Sequence, residues 1–386
     1  MVTDRATLAR TAAAIAAGSG PVAVDAERAS GFRYSQRAYL VQLRRAGAGT
    51  TLVDPIPLGS DLADLAPALR GPEWVLHAAN QDLPCLAEVG LVPDRLFDTE
   101  LAGRLAGLPR VGLGPLVEQL LGLSLEKGHG AADWSRRPLP EAWLVYAALD
   151  VEVLVQLRDV LAGMLAAQGK LDWALQEFEA VRTASPAPPR AEPWRRTSGM
   201  HRVRKPRALA IVRALWTARD RLASERDIAP GRVLPDSAII DAAMTAPDSA
   251  AALGAMAVFR GRAQRRLANY WYAAVAQALA LDPAELPLSS PPSDGPPPVA
   301  RWGDRDPAAA ARLAATRAAL AETSQQWSIP VENLLQPELL RRLCWSPPAD
   351  GDIAGTLRAG GARDWQIELL LPGLDTALAR AKENAS

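Results

Sequence analysis

Over the first hundred residues the apolar positions come in short β-branched runs broken by glycine, proline and acid. Val22-Ala23-Val24-Asp25-Ala26-Glu27 is the first such run, and it ends in two carboxylates one residue apart. The two-residue period of a strand puts Asp25 and Glu27 on the same side. AYLVQLRRA (38–46) and TTLVD (50–54) predict two further strands, with Gly47 and Gly49 at the turn between them. DLADLAPALR (61–70) has helical spacing, and EWVLHA (73–78) predicts a fourth strand. Asn80 is the expected N-cap of a helix through Glu88, and further helices are expected around 98–108 and 114–122. Pro140 suits the first position of one long helix, EAWLVYAALDVEVLVQLRDVLAGMLAAQ. Strands first, then alternation with helices, imply a mixed sheet with helices on its faces.

After this region the pattern becomes helical throughout. SPAPPRAEP (185–193) reads as a connector, helical text runs from 205 to about 281, and PLSSPPSDGPPP (287–298) reads as an extended or disordered linker. Helical text resumes from 306. The two helical blocks look alike: each opens on an Ala/Arg-rich helix (206–225 and 307–326), passes a short turn and closes on a helix bearing a tryptophan, Trp271 or Trp365. That is the signature of a duplicated all-α module. The expected boundaries are 1–184 for the α/β domain, 185–204 for a Pro/Arg-rich linker and 205–286 for the first helical domain. A second linker at 287–304 and a second helical domain at 305–386 complete the chain.

Charge changes this picture only locally. Lys+Arg and Asp+Glu both number 43, but residues 191–280 carry 15 basic against 7 acidic side chains, flanked by mildly acidic regions. A single basic block points to a local anionic partner. Its clusters include Arg202, Arg204, Lys205 and Arg207, then Arg260, Arg262, Arg265 and Arg266 beside Tyr270, Trp271 and Tyr272. Basic residues next to aromatics favour nucleic-acid contact, with Trp271 itself expected in the core. Cys85 and Cys344 lack metal-ligand spacing and exclude a disulfide framework. The N-terminal stretch MVTDRATLARTAAAIAAGSG reads as an amphipathic helix rather than a signal peptide, and no apolar run reaches the ~18 residues of a membrane span. A cytoplasmic protein is expected.

The candidate chemistry lies in acids. Asp25 and Glu27 repel each other unless a cation sits between them, although a plain strand end whose acids reach solvent is the commoner arrangement. Asp82 follows a later strand in HAANQDLPCL (77–86), and in YAALD Tyr146 and Asp150 stand one helical turn apart. Singly, each of these is weak.

Together, VAVDAE, HAANQDLPCL and YAALD resemble the three exonuclease motifs of ribonuclease D, in the DEDDy group of 3′–5′ exonucleases. RAYLVQL (37–43), FDTELAGRLAG (97–107) and ADWSRRPLP (132–140) extend the likeness, and the helical repeats resemble the HRDC modules that follow the nuclease domain in that family. The resemblance implies a ribonuclease-H-like α/β nuclease domain followed by two all-α HRDC-like domains. It implies Asp25, Glu27, Asp82 and Asp150 as ligands of two divalent cations, Mg2+ or Mn2+, with Tyr146 orienting the attacking water. The implied activity is 3′–5′ exoribonucleolysis by a monomer on single-stranded 3′ ends, tRNA precursors among them. A DNA exonuclease and a non-catalytic nucleic-acid-binding protein are the alternatives. The chain has neither GxxxxGK[ST] nor GxSxG, which leaves no sequence basis for a nucleotide cofactor or a serine nucleophile.

Lesser expectations concern single residues. His77 and Cys85 read as core groups. His129, Lys127, Arg136 and Arg137 read equally as phosphate contacts or as a solvated loop, and Trp134 as a base-stacking ring or a loop anchor.

Overall fold

The computed structural model describes residues 1–386 except 126–127, 187, 291–294 and 384–386, with only the backbone of Glu383. Lys127 and part of the proline-rich 287–298 segment therefore lie outside the described residues. The sheet has five strands: β1 (Ser19–Glu27), β2 (Leu40–Ala46), β3 (Gly49–Val53), β4 (Glu73–Leu76) and β5 (Arg95–Asp98). Their order is β3-β2-β1-β4-β5, with β2 and β3 antiparallel to their neighbours and β4 and β5 parallel to β1. Gly47 and Gly49 take φ of 86° and 75°, which only glycine adopts readily in a tight hairpin. β5 falls where the sequence pattern predicts the start of a helix. RLFD is too short to show a period, and its Asp98 caps the following helix instead of belonging to it.

Helix α1 (Arg5–Ala17) precedes the sheet, and α2 (Leu83–Glu88) and α3 (Thr99–Leu105) follow β4 and β5. The long helix expected after Pro140 is two: α4 (Glu141–Glu152) and α5 (Leu154–Ala167) meet at Val153. The halves cover different surfaces, α4 lying across β1, β2 and β3 while α5 runs along α3 and the helix Leu113–Leu121. α6 (Leu171–Arg182) closes this part of the chain.

The two helical blocks share an architecture. The first contains α7 (Pro206–Arg226), α8 (Asp236–Thr245) and α9 (Ala268–Ala280); the second contains α10 (Pro307–Trp327), α11 (Pro337–Trp345) and α12 (Asp364–Glu383). α7 and α10 are each 21 residues long, end on a left-handed residue (Asp227, Ser328) and lead into a four-residue helix. Their attachments differ. Residues 194–281 form a core of their own, whereas Trp302, Leu313, Ile329, Leu343 and Trp365 belong to the same apolar cluster as the sheet. Trp173 of α6 stacks on Trp365 at 5.0 Å between centroids. The buried Lys170 donates its ammonium to Leu105 O at 2.9 Å and Trp327 O at 2.6 Å.

The first block holds the loop after β1. Asp227 accepts the Ser35 N–H at 2.9 Å, Tyr34 donates its hydroxyl to Asp220, and Arg232 donates to Gly31 O at 2.7 Å with its guanidinium over the Phe32 ring. No described helix is long and apolar enough to cross a membrane.

Candidate active site

β1 runs through the core as Val22-Ala23-Val24 and delivers Asp25 and Glu27 where the strand leaves it, at a cleft of about 620 Å³. α4 crosses the same sheet face and brings Tyr146 and Asp150 to the cleft from above. One oxygen from each of Asp25, Glu27 and Asp150 lies within 4.8 Å of the others. This spacing suits a shared hard cation, because positive charge between them offsets the repulsion of the ionised carboxylates. Asp82 lines the cleft beside this trio, its Oδ1 3.8 Å from an Arg28 nitrogen.

Asp82 stands at the N-cap of α2, but its side chain caps nothing. The expected cap, Asn80, sits instead inside a single turn of 3-10 helix, Ala79–Gln81. That turn is fixed from behind. Ala78 adopts a left-handed conformation (φ 56°), and the buried Asp98 carboxylate accepts the N–H groups of Ala78 (3.1 Å) and Ala79 (2.8 Å). The same carboxylate accepts Glu100 and Leu101 N–H to start α3. Asp98 thus leaves the Asp82 side chain free to face the cleft. Sequence reading misses it because its partners are backbone groups; the only available signal is an Asp directly before a helix.

The electrostatics record four acids packed together. Burial, then the charge of Asp25, raises Asp82 to about 8 and Asp150 to about 7. Burial, then Asp25, Asp150 and Asp82, raises Glu27 to about 9, and Asp25 itself is raised by burial to about 6. Asp25 perturbs all three others, which makes it the centre of the group. Burial and the Asp150 charge also push up the Tyr146 phenol, so it keeps its proton at neutral pH. Arg28, unremarked in the sequence, is the sole lysine or arginine lining this cleft among the described residues.

The neighbouring residues are now placed. His77 lines the cleft, but its Nδ1 pairs with Thr99 Oγ1 at 2.9 Å, and burial lowers its pKa to about 4, so it is neutral. Cys85 is buried, with its thiol directed at Asp82 O and pushed up to about 12 by burial. Trp134 is fully buried and donates to His129 O at 3.1 Å, a loop anchor and not a stacking platform. His129 packs edge-on against Tyr146 at 5.7 Å. Arg137 is committed to Asp54 and three backbone carbonyls.

The basic block divides in the same way. Arg207 donates to Ala278 O and Leu281 O at the end of α9, Arg260 to Ala255 O at 2.9 Å, and Arg202 pairs with Asp241 at 3.4 Å. Trp271 is core, bonded to Gln264 at 2.9 Å, and Tyr270 and Tyr272 donate to Ala218 O and Asp248 O. Arg204, Lys205, Arg262, Arg265 and Arg266 are exposed and make no side-chain hydrogen bond or ion pair among the described residues.

Three family models match the chain: a 3′-5′ exonuclease over residues 1–166, an HRDC domain over 208–275 and a 3′ to 5′ exonuclease C-terminal domain over 295–378. The second helical block thus matches a model of its own, distinct from that of the first. A ribonuclease D of Gluconacetobacter diazotrophicus is 34% identical over 338 residues, 85% of this chain and 82% of that protein. One of Nitrobacter hamburgensis is 30% identical over 380 residues, 96% and 92% of the two chains. Among solved structures, a protein from Bifidobacterium adolescentis matches with a TM-score of 0.91 at 39% identity, covering 98% and 96% of the two chains. Escherichia coli RNase D, described as an exoribonuclease involved in structured RNA processing, matches with a TM-score of 0.70 at 28% identity over 98% of both chains. With the acid cleft at the end of β1 and relatives that span nearly its whole length, the chain belongs to the ribonuclease D family and is a 3′–5′ exoribonuclease.

Proposed function

We propose that this protein trims the 3′ ends of structured RNA, tRNA precursors among them, as a cytoplasmic monomer whose Asp25, Glu27, Asp82 and Asp150 hold two divalent cations. The observation carrying this reading is the convergence of Asp25, Glu27 and Asp150 oxygens within 4.8 Å in a cleft whose acids are all raised by burial. The residues fit such ions. The donor set is carboxylate oxygen, which hard cations prefer, and among the described residues the group includes no cysteine or histidine. Mg2+ or Mn2+ would supply there the charge that steadies the attacking and leaving oxygens of an in-line displacement.

The chain's own residues do the rest. Asp25, whose charge raises each of the other three acids, would hold the cations together with Glu27, Asp150 and Asp82. Tyr146, a neutral phenol one helical turn before Asp150, orients the attacking water. Attack at the terminal phosphorus breaks its bond to the 3′-oxygen of the preceding nucleotide, which takes a proton and leaves a new 3′-hydroxyl. Leu113, Pro115, Leu125 and Leu154 give the terminal nucleoside an apolar wall.

Charge arithmetic assigns Arg28 its part. Four carboxylates balance two dications, and the remaining negative charge of the phosphodiester is met by Arg28, which stands 3.8 Å from Asp82 with no side-chain hydrogen bond among the described residues. The exposed Arg204, Lys205, Arg262, Arg265 and Arg266 carry the RNA upstream of the cleft. We further read 1–184, 205–286 and 305–386 as the nuclease and two helical domains joined at 185–204 and 287–304. Incubation of 3′-labelled RNA and DNA with Mg2+, with Mn2+ or with EDTA tests the reading: metal-dependent release of nucleoside monophosphates from RNA is expected, and undiminished activity in EDTA overturns it.

A further inference from the structure

β2 sets Gln42 directly opposite Asp25 in the antiparallel register, so the two side chains leave the same face of the sheet. α4, the helix carrying Tyr146 and Asp150, covers that face; its Ala147 shares an apolar cluster with Leu40, two residues along the same row. Gln42 is fully buried there (0% exposed), and neither its Oε1 nor its Nε2 has a hydrogen-bond partner. Buried amides are almost always paired, because an unpaired one loses its water without compensation. An apolar side chain of similar size would fill the place without that cost. The amide thus opposes folding stability, at the one position across the strand from the central acid of the cleft.

We propose that Gln42 is a positioning residue for metal binding. Its Nε2 donates to the Asp25 carboxylate once that carboxylate is fixed by a divalent cation, and so holds the oxygen lone pairs toward the ion. A neutral amide suits this place. It orients the carboxylate without adding a positive charge that would compete with the cation, and groups one step behind a metal ligand commonly govern both orientation and affinity. The inference rests on the divalent-cation reading above.

The test uses the full-length protein and the near-isosteric Gln42→Met, with Gln42→Leu as a second variant. Three quantities are measured: the melting temperature in EDTA, Mg2+ and Mn2+ affinity by calorimetry, and kcat and KM on a 3′-labelled oligoribonucleotide. In the expected result the apolar variants melt several degrees higher than wild type in EDTA and bind the ions about tenfold more weakly. Their kcat falls at limiting metal, recovers partly in excess metal, and KM for RNA stays unchanged. If both variants melt lower in EDTA and bind the ions as wild type does, the amide is an ordinary satisfied core group and the proposal is overturned. Failure of the underlying reading looks different: wild-type protein itself then binds neither ion and keeps its activity in EDTA.

Discussion

Arg137 closes on Asp54 through two parallel hydrogen bonds, Nε to Oδ2 and Nη2 to Oδ1, each 2.7 Å long. The acid is nearly sealed from solvent, and the same guanidinium reaches Tyr39 O at 2.8 Å, tying the loop before α4 to the residue that enters β2 and the one that leaves β3. Removing the guanidinium would strand a buried carboxylate, a change that costs about 3–5 kcal/mol. Arg137→Ala should therefore lower the unfolding free energy by that amount in a urea titration. Arg137→Lys should recover only part, since an ammonium cannot make the two parallel bonds. The salt dependence of RNA binding should stay that of wild type, because this arginine has no donor left for a phosphate.

The acid cluster opposes folding in the absence of metal. Glu27, Asp82 and Asp150 are each raised by burial and by Asp25, so deleting one charge relieves the rest. Asp150→Asn, and likewise Asp25→Asn, should abolish hydrolysis while raising the melting temperature measured in EDTA. An active Asp25→Asn protein would remove this acid from the mechanism.

The sign of the pH dependence follows from the same shifts. Each acid has a folded pKa above its ordinary value of 3.8 or 4.5, so its contribution is fully present below about pH 4 and is lost as pH rises through the folded values. Those values run from about 6 for Asp25 to about 9 for Glu27. In EDTA the melting temperature should fall between about pH 4 and 9. Saturating Mg2+ should reverse the fall, because ions bind the deprotonated acids, and apparent Mg2+ affinity should rise over the same interval.

Much of this was legible because it depends on local period. Alternation in VAVDAE placed Asp25 and Glu27 on one face, and the four-residue step from Tyr146 to Asp150 placed both on one side of α4. What escaped has partners that no period encodes. Asp98 acts through the backbone of Ala78 and Ala79 across 20 and 19 positions, and Gln42 reads as one polar residue in the apolar half of a strand. The arginines show the limit most plainly: Arg207 and Arg262 are alike in the sequence, yet one caps α9 and the other stands free in solvent.

The two helical blocks should respond differently to cutting at their interfaces. Trp365 stacks on Trp173 and donates to Glu177 at 3.0 Å, and Arg363 closes on the same carboxylate at 2.5 Å. A buried tryptophan replaced by alanine costs about 3–5 kcal/mol, so Trp365→Ala should destabilise the nuclease domain along with the last helices, in one cooperative melting transition. Removing 195–386 altogether would bare the α6 face that Trp365 covers, and the truncated protein should melt lower than the full chain. The first block, by contrast, holds the nuclease domain through polar contacts such as Tyr34 to Asp220 and Ser35 to Asp227. Tyr34→Phe should cost no more than about 0.5–1.5 kcal/mol, the range of a single hydrogen bond.

The free arginines make the sharpest separation between structure and binding. Arg262, Arg265 and Arg266 lie on one exposed five-residue helix that is tied to the short helix before α8 by Gln264 donating to Val233 O at 2.7 Å. Next to that carbonyl in the chain, Arg232 reaches Gly31 in the loop that leaves β1, so the basic turn stands on the side of the first block that meets the nuclease domain. Replacing all three with alanine should leave the melting temperature unchanged, since no described contact is lost. Each phosphate contact to a single strand contributes about 0.7 to the slope of log affinity against log salt, so losing three should flatten it by about 2. Arg219 gives the control. It is buried and bonded to Asp236 at 2.6 Å and Leu234 O at 3.1 Å, so Arg219→Met should destabilise the first helical block and leave the salt slope of the folded protein intact. A triple variant that kept the wild-type slope would place the RNA on another face.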